Sequence, residues 1–240
     1  MPRHRPTTNS PRLWRPHNDR TPPTSESATT RRSIIDLIGE VAGAYISELQ
    51  NGYLADRSAA VAALAQLRRG AGKQPVDVPE LWGMAGTERL YSEQSLSDNE
   101  AEKAEKALFT AITLYALHQQ SNRRLGMHKP KAELGAAVRR LMPTGVIDGP
   151  IREHFVRLGT ASTPQVLADR LREVVILLRG QSIPLDYALL AQQLYQVQHP
   201  NGLRHVRQRW GRSFHAYRPP APRTDNGAQA DTAASPDKDN

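Results

Sequence analysis

The chain has 240 residues, 38% of them hydrophobic and 5% aromatic, which is enough apolar material for one generous domain or two small ones. A formal charge of +8 and a pI near 10 favour an acidic partner, nucleic acid or an anionic membrane surface. The absence of Cys excludes disulfides and thiolate metal sites and fits a reducing cytoplasmic setting, and no apolar run approaches the roughly 20 residues of a membrane-spanning helix.

Residues 1–32 hold six prolines and many Thr, Ser and Arg, with little that is apolar beyond Leu13 and Trp14, so a disordered basic arm is expected there. Arg31-Arg32 ahead of Ile34-Ile35 resembles a twin-arginine export signal. Asp36 and Glu40 interrupt the apolar stretch such a signal needs, which favours a folded helix instead. From Ser33, Ile34, Ile38, Val41, Tyr45 and Leu49 recur at helical spacing, and Asn51-Gly52 predicts the stop. A second helix is expected from Asp56, carrying Val61, Leu64 and Leu67 and closed by Arg68-Arg69-Gly70. The stretch from Gly70 to Gly86, with Pro75, Pro79 and Trp82, reads as a loop whose Trp is pinned against the body.

The most distinctive stretch runs from Ser97 to Ser121. Ser97 and Glu100 form a capping-box pattern, and between Leu108 and Leu117 only Thr110 and Thr113 are polar. A helix apolar all round must be buried. A basic connection, Asn122 to Lys131, leads to a helix with Leu134, Val138 and Leu141, and Pro143 to Gly149 breaks it. A short helix opened by Pro150 carries Ile151, Phe155 and Leu158, and the next starts at Thr163-Pro164 and ends at Gly180. Pro184 precedes a helix expected to include Leu185, Leu189, Leu190, Leu194 and Val197. After the turn His199-Pro200-Asn201-Gly202, a last helix carries Leu203, Val206, Trp210, Phe214 and Tyr217 on one stripe. From residue 219 to 240 a second disordered tail is expected, weakly acidic in character. No strand alternation survives, so the fold class is all-α, a helical bundle divisible into parts spanning 33–126 and 127–218.

Catalysis finds little support. The eight His are scattered without a metal-ligand spacing, and Gly70-Ala71-Gly72-Lys73-Gln74 lacks the upstream Gly and the Ser or Thr of a phosphate loop. Neither a metal nor another cofactor is expected, and no enzymatic activity. His118 reads as a core-edge histidine rather than a ligand, and Trp210, on the apolar stripe, as a core anchor rather than a base-stacking platform. The basic residues make the stronger case: Arg204, Arg207, Arg209, Arg212 and Arg218 occur with no Asp or Glu between Leu203 and Pro222. Planar, permanently charged guanidinium groups suit phosphate. Arg68-Arg69 is open to two readings, phosphate contact or complement to a helix C-terminal dipole. Arg123, Arg124, Lys129 and Lys131 form a further cluster, as do Arg139 and Arg140, a distribution suited to tracking an extended strand.

Several short stretches occur in an order that resembles the small subunit of type I-E CRISPR Cascade complexes, the CasB family. They are Leu67-Arg68-Arg69-Gly70, Ile112 to Gln120, Leu134-Gly135, Ile183-Pro184-Leu185-Asp186-Tyr187, and Arg209-Trp210-Gly211-Arg212-Ser213-Phe214. The resemblance implies a non-enzymatic, all-helical subunit, present with a second copy of itself, that contacts the other Cascade subunits, the guide RNA and the target DNA backbone and helps hold the displaced non-target strand. By position it implies nucleic-acid contacts at Arg68, Arg69, Lys103, Arg204 and Arg207, with Arg157 standing in for a basic residue missing near Gly159. Other readings of the same chain are a stand-alone helical DNA-binding regulator and a helical scaffold protein.

Overall fold

The computed structural model describes residues 33–93 and 95–219, so the arm expected over 1–32, and the tail from residue 220 on, lie outside it. Nine α-helices occur among the described residues: α1 (Ile34–Leu54), α2 (Ser58–Leu67), α3 (Glu88–Glu93), α4 (Asp98–Gln119), α5 (Leu134–Arg140), α6 (Gly149–Gly159), α7 (Pro164–Gly180), α8 (Tyr187–Gln196) and α9 (Gly202–Ala216). Three single 3₁₀ turns lie between α2 and α3, and among the described residues there is no strand, only an isolated parallel bridge between His128 and Leu185. The all-α expectation holds.

The capping box forms at the start of α4, where the Glu100 carboxylate accepts from the Ser97 backbone N–H at 3.1 Å and from its hydroxyl at 2.6 Å. Every residue from Ala107 to Gln119 is buried. Its buried polar groups find partners within the helix, on α8 and in the following loop, with His118 Nε2 left unpartnered among the described residues. Thr113 Oγ1 donates back to the Phe109 carbonyl at 2.8 Å, the Tyr187 hydroxyl lies 2.9 Å from His118 Nδ1, and Gln119 Nε2 donates to Asn122 O and Leu125 O while its Oε1 accepts from Met127 N. Gln119 thereby ties the following loop to the helix end.

Helices α1, α2, α7 and α8 pack around α4, α5 lies on α9, and α6 lies on α7. The α5 approach depends on a residue without a side chain. A Cβ on Gly135 would stand 2.0 Å from the Trp210 carbonyl oxygen and 2.6 Å from Phe214 N, so only Gly lets the two backbones meet. The 126–132 loop is bolted down from several sides: Gln50 bonds His128 through both its amide atoms, Lys129 N donates to the Leu185 carbonyl, and Asp186 accepts from Lys131 N at 2.7 Å.

Four expectations fail locally. Asn51-Gly52 does not end α1, which continues to Leu54. Gly52 instead lets α2 come close, since a Cβ there would be 2.6 Å from Ala60 Cβ. The six-residue α3 was not expected. It is clamped to α1 by Arg89, which pairs with Glu48 at 2.7 Å and lies over the Tyr45 ring at 4.9 Å. Leu185 is extended, because its backbone bonds to Met127 and Lys129, and α8 starts only at Tyr187 with Asp186 as N-cap. Trp82 is not packed against the body: it is 66% exposed, and its indole N–H is tied instead to the Pro75 carbonyl of its own loop at 2.9 Å.

Candidate nucleic-acid interface

The apolar stripe of α9 buries Val206, Trp210 and Phe214. With Trp210 buried and its indole N–H donating to Gln193 Oε1 at 2.7 Å, the residue is a core anchor, as its place on the stripe implied. At 100° per residue the opposite face must consist of Arg204, His205, Gln208, Arg212 and His215, and all five are exposed. The helix contains no acid.

The four arginines of α9 do not share one fate. Arg207 sits at the margin of the buried stripe, half-buried, and its Nη2 donates to the Ala161 carbonyl at 2.6 Å, bracing the α6–α7 connection. Arg209, on the other margin, pairs with Glu133 at 2.9 Å. The lack of acids along the sequence therefore does not leave Arg209 uncompensated, because the acid arrives from the N-cap of α5. Arg204 and Arg212 are exposed and have no partner among the described residues. Beside Arg212 lies an open groove of about 540 Å³ lined by Lys131, Glu133, Arg209, Arg212, Ser213 and Tyr217 among others. Lys131, which sequence placed in a separate basic cluster, belongs to this surface. Only the fold brings the two stretches together.

Lys103 is half-buried on α4, and Gln198 Nε2 donates to its carbonyl at 2.8 Å, which ties this turn of α4 to the residues just before α9 and Arg204. Arg68 and Arg69 occupy the 3₁₀ turn that closes α2, both exposed and without a partner among the described residues. Arg68 lines a smaller groove with Gln120, Ser121 and Arg123. Arg179 reaches the same end of α4, donating to Gln120 Oε1 at 2.9 Å. Of these, Arg123 is engaged by Asp56 and by the Tyr53 ring at 5.0 Å. Lys103 and Gln120 are 17 residues apart on one helix, about 25 Å at roughly 1.5 Å per residue, so the two basic groups stand toward opposite ends of α4. Arg157 lines neither groove; it is exposed on α6 and pairs one turn back with Glu153.

The titratable groups most displaced from their ordinary values are structural. Burial lowers His118 to about 3, with the Arg179 charge acting in the same direction, and burial likewise lowers His128, whose Nδ1 accepts from Tyr187 N at 3.1 Å. Both act as neutral imidazoles inside hydrogen-bonded junctions. No group of three His, Asp or Glu suited to a metal ion occurs among the described residues, and no described helix is long and apolar enough to cross a membrane.

A family model for CRISPR-associated protein Cse2 matches residues 63–215, more than half of the chain. The chain belongs to the Cse2 family. The crystal structure of CasB from Thermobifida fusca is similar to it at 49% identity and a TM-score of 0.69, covering 75% of this chain and 98% of that one. A chain of a CRISPR RNA-guided surveillance complex shares the fold at 20% identity and a TM-score of 0.54, over 74% of this chain and 95% of its own. A search of curated proteins finds no match. The resemblance drawn from Leu67 to Gly70, Ile112 to Gln120 and the Arg209 to Phe214 stretch is thus to the family the comparisons return, and all three stretches fall within the Cse2 match.

Proposed function

We propose that this Cse2-family chain is the non-catalytic small subunit of a type I-E Cascade, an RNA-guided surveillance complex, and that it stabilises the R-loop by holding the displaced non-target strand through sequence-independent phosphate contacts. The observation that carries the reading is the acid-free outward face of α9, where Arg204 and Arg212 stand exposed with no protein partner among the described residues. Arg68 and Arg69, equally unpartnered, and Lys103 extend the track toward both ends of α4. In this reading the chain works beside a second copy of itself and against other Cascade subunits, in a cytoplasmic assembly with guide RNA and target DNA, and needs no cofactor. Exchanging a DNA duplex for a guide–target heteroduplex is nearly balanced energetically, so a few contacts to the freed strand shift the outcome.

The test is single-strand binding by the Arg204→Ala/Arg212→Ala variant across a salt series. For every phosphate that the variant no longer neutralises, the log–log salt dependence should flatten by about 0.7. Affinity and slope equal to wild type would sink the assignment of α9 as the interface. The same variant in the assembled complex should hold an R-loop less persistently.

A further inference from the structure

We propose that Trp82 is a stacking platform for a nucleobase of a single strand whose phosphates run along Arg68, Arg69 and Lys73, an inference that rests on the nucleic-acid role proposed above. The ring is 66% exposed, yet it is held in place: its indole N–H donates to Pro75 O at 2.9 Å and its backbone N–H to Pro79 O at 3.1 Å. The preceding residue, Leu81, is buried and packs directly on Gly70, since a Cβ at Gly70 would lie 2.8 Å from Leu81 Cδ1. That contact holds Leu81, the residue next to Trp82 in the chain, against the Arg68–Gly70 turn, and Lys73 N donates to Gly70 O at 2.9 Å, so the third cation belongs to the same turn.

Beside the ring runs a groove of about 240 Å³ with Pro75, Ala85 and Phe109 among its walls and Glu105 as its one carboxylate. A second exposed aromatic, Tyr91, donates its hydroxyl to that carboxylate. Asp77, which accepts from Gln74 N, and Glu80 disfavour a phosphate under the ring itself. The group that fits there is an uncharged, flat one, while the anionic backbone is drawn to the neighbouring basic turn. A fixed exposed aromatic next to unpaired cations is the combination by which proteins bind single strands without reading sequence.

The experiment measures binding of the full chain to oligo(dT) and to an abasic strand of equal length, for wild type, Trp82→Ala and Trp82→Phe. Loss of one stacked base should weaken oligo(dT) binding by about tenfold in Trp82→Ala, with Trp82→Phe retaining most of the affinity. The salt slope should stay at its wild-type value, and abasic-strand binding should not change, because no phosphate contact is touched. Equal loss on both strands, or no loss on either, overturns the stacking role. So does a Trp82→Ala variant that binds oligo(dT) normally but no longer joins the other Cascade subunits, which makes the ring a protein anchor. A wild-type chain that binds neither strand overturns the phosphate-tracking reading as well, so the two failures are separable.

Discussion

Helices α4 and α9 both carry large apolar surfaces, but α4 is enclosed over thirteen consecutive residues while α9 buries one stripe and presents cations on the other side. The difference teaches where identity and chemistry reside. The enclosed helix has the most distinctive sequence, because nearly every position must be apolar or internally bonded, and it acts as the axis on which other elements are set. The half-buried helix looks ordinary in hydrophobic pattern. It keeps an entire face free for charge, and that face is where a ligand can be met.

Breaking the comparison at its strongest point means opening a hole in α4. Leu114 is fully buried, so Leu114→Ala should cost about 2–5 kcal/mol, whereas Arg204→Ala on the outer face of α9 should stay within about 0.5 kcal/mol. Urea unfolding of the two variants measures both. Similar losses would mean that the α9 face is structural after all.

The next effect concerns the polar end of α4. An unfolded His118 takes up a proton near pH 6.5, while burial in the folded chain holds off protonation until pH is about 3. Stability present above pH 6.5 should therefore drain away as pH falls toward 3, with a limiting slope of about 1.4 kcal/mol per pH unit from this one residue. His118→Phe removes the titrating group, and its stability should fall less steeply over the same window. Parallel pH profiles for the variant and wild type would show that His118 does not remain neutral in the fold.

Much of this division was legible in the sequence, because local signals govern it. Ser97 with Glu100, Thr163-Pro164 and the 3–4 spacing of Val206, Trp210 and Phe214 each report on residues within one or two turns. What was not legible depends on distant partners. Glu133 lies 76 positions from the Arg209 it neutralises, and Ala161 lies 46 positions from Arg207. Leu185 was drawn out of its expected helix by backbone bonds to Met127 and Lys129. Gly52 carries the turn signal of Asn-Gly, yet its role is to admit Ala60. Trp82 was expected pinned against the body in a Pro-containing loop, yet it is the neighbouring Leu81 that is buried while the Trp82 ring stays exposed.

Within α9 the two marginal arginines provide a finer comparison. Arg207→Ala should destabilise by about 1–2 kcal/mol, since it removes a half-buried bond to the Ala161 carbonyl, and should leave the salt slope of strand binding unchanged. A thermal melt together with a salt titration separates these outcomes. A flatter slope with no loss of stability would move Arg207 from brace to ligand contact.

The smallest effect is the most diagnostic of how α9 is tuned. Arg209 is half-exposed and its pair with Glu133 is a surface one, so Glu133→Gln should cost less than about 1 kcal/mol, with part of that screened at high salt. The same change releases a guanidinium into the groove that already holds Lys131 and Arg212 and removes the groove's one acid. Binding to a single strand should therefore tighten by a few-fold and the salt slope should steepen, by up to about 0.7 if Arg209 neutralises a phosphate fully. If affinity instead stays constant, the phosphate track runs along Arg204 and the outward face and bypasses this groove. Weaker binding would mean that Glu133 orients Arg209 toward the strand, and that the pair works as one unit in binding.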